Sequence, residues 1–347
     1  MKLLVSALET SSNTHLKALK KYLSNDIQLI GIFDKKLGNP HYDISKFAVM
    51  GLVDTLKKLP FFLNLKKKML SLAKDADKIL LMDSSGFNLT LAQSIKQKYP
   101  HKEIIYYILP QAWASRKGRI KKIEKYCDKL CSILPFEKEM YTHKEKISYV
   151  GHPLLDEIKS FKNELSSSNT IAFMPGSRKT EIQNHMPIFK RLKNNFNNKK
   201  LVLIIPKQFD EEYIKNVYGN LEGFTISRNT YQTLQESEFA FICSGTATLE
   251  AALIGTPFTL CYIAKKLDYF IATRIINISF IGLANIFFSK MKKKPLHKEF
   301  IQKEVNVNNL FEEYLSMDRT LFFKNSKLLR DYLQHGSSKN VAQIIQN

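Results

Sequence analysis

Apolar residues arrive along this chain in short runs, and the stretches between them have helical period. KLLVSAL leads into THLKALKKYL, QLIGIF follows, DKILLMD leads into NLTLAQSIKQKY, and EIIYYIL, KLCSIL and ISYVG come after. Short apolar runs bounded by polar residues are what strands look like when both faces of a sheet are covered, and spacings of three and four mark the covering helices. The alternation predicts βαβ units and a parallel sheet. It pauses at the polar FKNELSSSNT, then restarts with TIAFMPG, LVLIIP, GFTIS, EFAFICSG and PFTLCYI. The expected fold is α/β, with two Rossmann-like doubly wound domains: residues 1–165 and 166–320. A helical segment over 321–347, with no strand after it, is expected to pack back on the first domain. Such sheets bind ligands at the carboxyl ends of their strands, so a site is expected there, between the lobes.

Two turns in the second half carry candidate chemistry. In CSGTATLEAALIGTP, a strand ending near Cys243 meets a helix that Gly255 and Pro257 stop. Ser244 is not set in a nucleophile elbow, because Ile242 and Thr246 occupy the two glycine positions of GxSxG. The turn Ser244-Gly245-Thr246 instead offers hydroxyls and free N–H groups at a helix start, which suits a diphosphate. A plain Ser/Thr cap is the bland alternative. Glu250 lacks the spacing of a capping box to Ser244 or Thr246, leaving its carboxylate to accept hydroxyls such as those of a ribose. FMPGSRKTEI repeats the arrangement with Gly176, Ser177 and Arg178. It is no P-loop, since Arg178 precedes Lys179-Thr180 and Phe173 stands at the first glycine. Arg178 has the planar fork suited to phosphate oxygens, or it is a solvated surface arginine.

In the first half, LLMDSSGFNLTLAQ places Asp83 at a strand end, as a general base or a helix-cap acid, with Asn88 near the start of the next helix. PQAWASRKGR carries the only tryptophan, Trp113, with Arg116 and Arg119 on one helical face. MGLVDTLKKLPFFLNLKKKML spaces Leu52, Leu56, Leu59 and Leu63 helically, with Val53, Phe61, Phe62 and five lysines. It reads as a core-facing helix or as one that dips into anionic lipid, and Pro60 argues against one unbroken helix.

Composition adds a sign. The 347 residues hold 53 Lys+Arg against 32 Asp+Glu, a formal charge of +21, which favours polyanionic partners or simply solvates a surface. Zinc-finger, helix-turn-helix and RNP-like signatures are missing, which argues against nucleic acid. The four cysteines lack paired spacing or nearby histidines, so neither a metal site nor a disulfide is expected. MKLLVSALET reads as a first strand rather than a signal peptide, and the apolar stretch 275–289 is too short to cross a bilayer, so a cytoplasmic protein is expected.

Taken together and in order, PQAWASRKGR, LPFE (134–137), GHPLLD (151–156), MPGSRKTEI, SGTATLEAAL and GLANIF (282–287) resemble the lipid-A-disaccharide synthases, over nearly the whole chain. The resemblance implies a GT-B glycosyltransferase of lipid A and lipopolysaccharide biosynthesis in Gram-negative bacteria, with its lobes facing across a cleft. Its reaction is inverting transfer from UDP-2,3-diacylglucosamine to the 6-hydroxyl of 2,3-diacylglucosamine 1-phosphate (lipid X). Asp83 and Arg178 would then be catalytic. Gly176, Ser177, Arg178, Ser244, Gly245, Thr246, Glu250 and Asn285 would bind nucleotide, and Glu299 with Gln302 would match a later family element. Glu9, Ser11, His15, Arg116 and Arg119 would meet the acceptor or its phosphate. Leu52, Val53, Leu56, Leu59, Phe61, Phe62 and Leu63 would touch the anionic inner-membrane surface. Neither cofactor nor metal is implied, and a homodimer is left open. The chain departs from the pattern in LETSSNTH, where Asn13 replaces an acid and two glycines are lost, and at Gly86, Ser115 and Ile263. On the residues alone, another inverting GT-B transferase with a lipid acceptor, a nucleotide-sugar sensor and a basic nucleic-acid-binding protein stay open.

Overall fold

The computed structural model describes residues 1–44, 59–112, 118–164, 168–243, 245–263 and 280–347. Of the residues singled out in the sequence, Leu52, Val53, Leu56, Trp113, Arg116, Ser244 and the side chain of Leu59 lie outside the described residues. The chain forms two compact units, Met1–Glu157 with Leu333–Asn347, and Ile158–Tyr332. These divisions differ from the expected boundaries after 165 and 320, for reasons visible in hydrogen bonds. Lys162 N donates to Ile254 O at 2.7 Å, tying the segment before 165 to the second unit. Arg330 does the same for the helix Arg319–Leu333, donating to Leu253 O at 3.0 Å and Asn163 Oδ1 at 2.6 Å.

The first unit is a seven-stranded parallel sheet. Its strands are β1 (Lys2–Ala7), β2 (Gln28–Phe33), β3 (Tyr42–Asp43), β4 (Lys78–Met82), β5 (Glu103–Tyr107), β6 (Lys129–Ser132) and β7 (Ile147–Tyr149), in the order β3-β2-β1-β4-β5-β6-β7. The order reverses between β1 and β4. Both faces are covered, which is why the strands are almost wholly apolar. Leu4, Ile79, Leu81, Ile104 and Tyr106 pack under Leu65, Met69, Leu91 and Ile95. On the other face Leu3, Val5, Leu80, Ile105 and Tyr107 meet Leu16, Leu19, Val341 and Ile345. Full burial of each such side chain stabilises by about 1.5–3 kcal/mol. The last two of these residues belong to the final helix, Ser337–Gln346, which the Tyr107 hydroxyl also meets at Ser337 Oγ (2.8 Å).

The second unit repeats the plan with β8 (Thr170–Met174), β9 (Lys200–Ile204), β10 (Thr225–Ser227), β11 (Ser237–Ile242), β12 (Phe258–Tyr262) and β13 (Glu299–Ile301), ordered β10-β9-β8-β11-β12-β13 and all parallel. Here the reversal falls between β8 and β11. Its core is aromatic: Phe173 stacks on Phe241 at 5.3 Å and meets Phe189 edge-on at 5.2 Å.

In the helix Leu59–Leu72, Pro60 occupies the first turn, where the missing N–H is tolerated; the stretch 50–58, over which an interruption was expected, lies outside the described residues. Phe61 and Leu63 are exposed at 36% and 49%. Phe62 is not a surface residue in the same sense; it packs on the core against Phe87, ring centroids 6.1 Å apart. Among the described residues no helix is long and apolar enough to cross a membrane. All four cysteines are buried and free.

Candidate functional site

In a doubly wound sheet, the place where strand order reverses leaves a crevice beyond the strand ends. In the first unit that place lies between β1 and β4, whose last residues, Ala7 and Met82, are in register. Asp83 and Ser84 follow β4 with φ of +51° and +40°, and Ile108, just past β5, has φ +60°. A left-handed non-glycine residue costs about 1–2 kcal/mol, so the turn persists only because its surroundings fix it. Tyr106 Oη donates to Asp83 O at 2.6 Å, and Asn88 Nδ2 donates to Met82 O and Asp83 O at 3.0 and 2.9 Å. Asn88 is itself oriented by Ser6 Oγ, 2.6 Å from its Oδ1.

The Asp83 carboxylate accepts from Ser84 N at 2.9 Å, while Ser84 Oγ donates to Glu9 Oε1 at 2.8 Å. Burial, and then the negative charge of Glu9, push the Asp83 carboxyl above the usual carboxylate range; His15 acts in the opposite direction. Asn13, at the acid position of the family pattern, is structural: Nδ2 donates to Ala7 O and Glu9 O at 2.8 Å, and Oδ1 accepts from Asp34 N at 2.7 Å. Ser11 is exposed on the first turn of the helix Thr10–Lys20. Arg119 Nη1 donates to Ser85 Oγ at 2.8 Å, which brings this arginine to the start of the helix after Asp83. His15 Nδ1 lies 2.8 Å from Glu157 Oε1. His152 is buried nearby, its imidazole pushed down to about 3 by burial and by His15.

In the second unit β8 and β11 end side by side, Met174 in register with Ile242. Gly176 has φ +107°, and a Cβ there would fall 2.6 Å from Glu181 Oε2, so glycine is required. The Glu181 carboxylate accepts from Ser177 N and Arg178 N at 3.2 Å and from Arg178 Nη1 at 3.0 Å. It closes the N-terminus of the helix Lys179–Leu192 and holds the root of Arg178, whose side chain is still 77% exposed. The helix Gly245–Ile254 starts beside it. A Cβ on Gly245 would come 2.8 Å from Ile281 O, so the two backbones touch. Thr246 is exposed, and Glu250, half-buried one turn later, already has an interaction partner.

Asn285 needs a correction. It is fully buried, with Nδ2 donating to His297 O (2.9 Å) and Glu299 Oε1 (2.8 Å), and Oδ1 accepting from Leu296 N (2.8 Å) and His297 N (3.2 Å). Both amide hydrogens and the carbonyl are engaged, leaving nothing for a nucleotide. Glu299 in turn accepts from Ile281 N at 2.8 Å and Gly282 N at 3.1 Å, fixing the segment that abuts Gly245. Burial raises its carboxyl. Asn285 and Glu299 border a cavity of about 590 Å³ together with Phe280, His297 and Met317. Among the described residues no group of three or more side chains is arranged to hold a metal ion.

Residues 3–346 match the family described as lipid-A-disaccharide synthetase. The chain is 49% identical to the lipid-A-disaccharide synthase of Helicobacter pylori (strain G27), covering 98% of this chain and 96% of that one. It is 44% identical to that of Campylobacter jejuni (strain RM1221), covering 99% and 98%. The chain belongs to the lipid-A-disaccharide synthase family. It is therefore an enzyme, a glycosyltransferase of lipid A biosynthesis. The fold agrees: a calicheamicin glycosyltransferase aligns with TM-score 0.60 at 12% identity over 99% of this chain and 97% of that one. A UDP-GlcNAc 2-epimerase from Neisseria meningitidis aligns with TM-score 0.62 at 12% identity over the whole of both chains.

Within this synthase-family chain, the structure gathers Glu9, Ser84, Asp83 and His15 at one sheet's reversal, and Gly176, Arg178 and Gly245 at the other's. Sequence reasoning missed Glu181, which holds one of these turns, and Tyr106; it singled out Glu299 only as part of a family element and Asn88 only by its place near a helix start, without their holding roles. It also left GHPLLD and LPFE without roles. Asp156 accepts from Gly336 N at 2.7 Å and Ser338 N at 3.1 Å, anchoring the start of the last helix. Glu137 accepts from Ser132 Oγ at 2.5 Å at the end of β6, where burial pushes its carboxyl up to about 7.

Proposed function

We propose that this enzyme transfers 2,3-diacylglucosamine from its UDP ester to the 6-hydroxyl of 2,3-diacylglucosamine 1-phosphate. The products are the β-1,6-linked disaccharide 1-phosphate and UDP. The observation that carries the reading is Asp83, a carboxylate with heightened proton affinity, fixed at the reversal of the first sheet beside Glu9. Asp83 takes the proton as O6 bonds to the anomeric carbon, and the carbon–oxygen bond to UDP breaks from the opposite face. Raised affinity makes Asp83 the better proton acceptor. The Arg178 side chain and the Ser177 hydroxyl beside Gly176, with Ser244 and the helix start at Gly245-Thr246, meet the diphosphate as its charge develops, and Glu250 meets the ribose. Asn285 acts at one remove, through Glu299 and the 281–282 backbone. Glu9, Ser11, His15, Arg116 and Arg119 hold the acceptor and its phosphate. In this scheme the protein's own cations and helix starts supply the charge, without metal or cofactor.

Both substrates carry acyl chains, and the exposed Phe61 and Leu63, with the segment before them, form the proposed contact with an anionic inner-membrane surface from the cytoplasmic side. The test is incubation with both acylated glucosamine substrates in detergent, scoring UDP and disaccharide. Asp83→Asn is expected to lower kcat by about 10²–10⁴ with UDP binding intact, and Arg178→Ala to remove most turnover. Full activity in both variants overturns the assignment.

A further inference from the structure

The helix Thr10–Lys20 and the short helix Pro153–Glu157 pack on each other in the first unit. Where they meet, His15 Nδ1 and Glu157 Oε1 are 2.8 Å apart, with side-chain exposures of 13% and 30%. Both atoms are shielded from solvent, and among the described residues neither makes a well-aligned hydrogen bond, so their 2.8 Å approach is an ion-pair contact and the polar contact each has. A buried polar atom needs a partner, so each of these two depends on the other. A carboxylate oxygen can only accept, so Nδ1 must carry the proton, and Nε2 lies across the ring from Glu157. The same helix begins after Glu9, the residue that binds Ser84 beside Asp83. The imidazole is near enough to act on Asp83 electrostatically. Glu157 thus holds a ring at the edge of the candidate catalytic cluster from a separate element, without belonging to the cluster itself.

We propose that Glu157 is a positioning residue for the transfer reaction: it fixes the orientation and the Nδ1–H tautomer of His15, so that Nε2 is presented to the acceptor sugar phosphate. This rests on the reading of His15 as an acceptor contact. In the full-length enzyme Glu157→Ala is expected to raise the acceptor KM about tenfold while the donor KM stays within about twofold, and Glu157→Gln, which keeps a carbonyl acceptor, to recover most of the loss. In a His15→Ala background, Glu157→Ala is expected to add less than about twofold, because the two act as a unit. Nitrogen-15 NMR of labelled histidine should find Nδ1 protonated in the wild-type His15 ring and that preference lost in Glu157→Ala. A bare Nδ1 in the wild-type ring, or effects that multiply in the double variant, overturns the proposal. So does an acceptor KM that moves in His15→Ala but not in Glu157→Ala. An acceptor KM unmoved by His15→Ala instead overturns the reading of His15 on which the proposal rests.

Discussion

Asn285→Ala separates a residue that touches the nucleotide from one that holds the protein together. Truncation removes four hydrogen bonds at a fully buried position. The Glu299 carboxylate keeps two backbone donors, Ile281 N and Gly282 N, so it is not orphaned. Leu296 N, His297 N and His297 O lose the partner they had in Asn285. An unpaired buried backbone group costs about 1–3 kcal/mol. Leu296, His297 and Asn285 border the 590 Å³ cavity, so water can reach part of the gap, and the low end applies. The sum is about 3 kcal/mol, close to the upper range for single substitutions. For a unit of this size a loss of 1 kcal/mol lowers Tm by about 2–4 °C, so a drop of about 6–12 °C is expected.

The assay pairs a thermal melt with calorimetric UDP titration well below the variant's transition. If Asn285 acts through Glu299, UDP affinity should fall by only a few-fold, because the two backbone donors to that carboxylate remain. A wild-type melt combined with abolished UDP binding would refute this account and make Asn285 a direct ligand.

Two further outcomes follow from the second unit. Gly176→Ala combines a strained φ of +107° with a Cβ that displaces Glu181; strain and the lost cap together are expected to cost about 2–4 kcal/mol in urea unfolding and to weaken UDP binding, and a wild-type midpoint would contradict it. His297 is buried and uncharged, its imidazole pushed from 6.5 down to about 4. The unfolded chain binds the proton more readily, so His297 contributes stability above pH 6.5 that is lost as pH falls through 4, with a slope of up to about 1.4 kcal/mol per pH unit. His297→Asn can keep the contact to Lys298 O and should lower the slope by the His297 share, leaving that of His152, which titrates over the same range; an unchanged slope would overturn the assignment to His297.

The two sheets were legible because burial on both faces leaves the same mark in every strand, and because the helices between them carry their own period. That pattern reports which residues are inside. It does not report which buried groups are paired, and the candidate site depends on pairing. Asn285 sits in LANIFF as a polar residue on an apolar helical face, equally consistent with a ligand contact or a satisfied core amide; only the carbonyl and N–H groups of 296–297, brought in from a loop, decide between them. The boundaries slipped for the same reason, since Lys162 and Arg330 choose their unit through long-range bonds to the Gly245–Ile254 helix.

A helix start is a ready anion site, which is why MPGSRKTEI and CSGTATLEAAL both invite a phosphate. At the first of them the N–H groups of Ser177 and Arg178 already face Glu181, with one edge of the Arg178 guanidinium. A guanidinium has five donors and Glu181 takes one, so Arg178 can meet a diphosphate without breaking its tie to the helix. The backbone donors cannot do both. The charge that balances departing UDP at this turn must then come chiefly from the Arg178 side chain, and Arg178→Lys, which keeps the charge but loses the fork, should fall well short of restoring turnover. Full restoration by lysine would mean that the backbone donors are released to the diphosphate and that Glu181 moves aside.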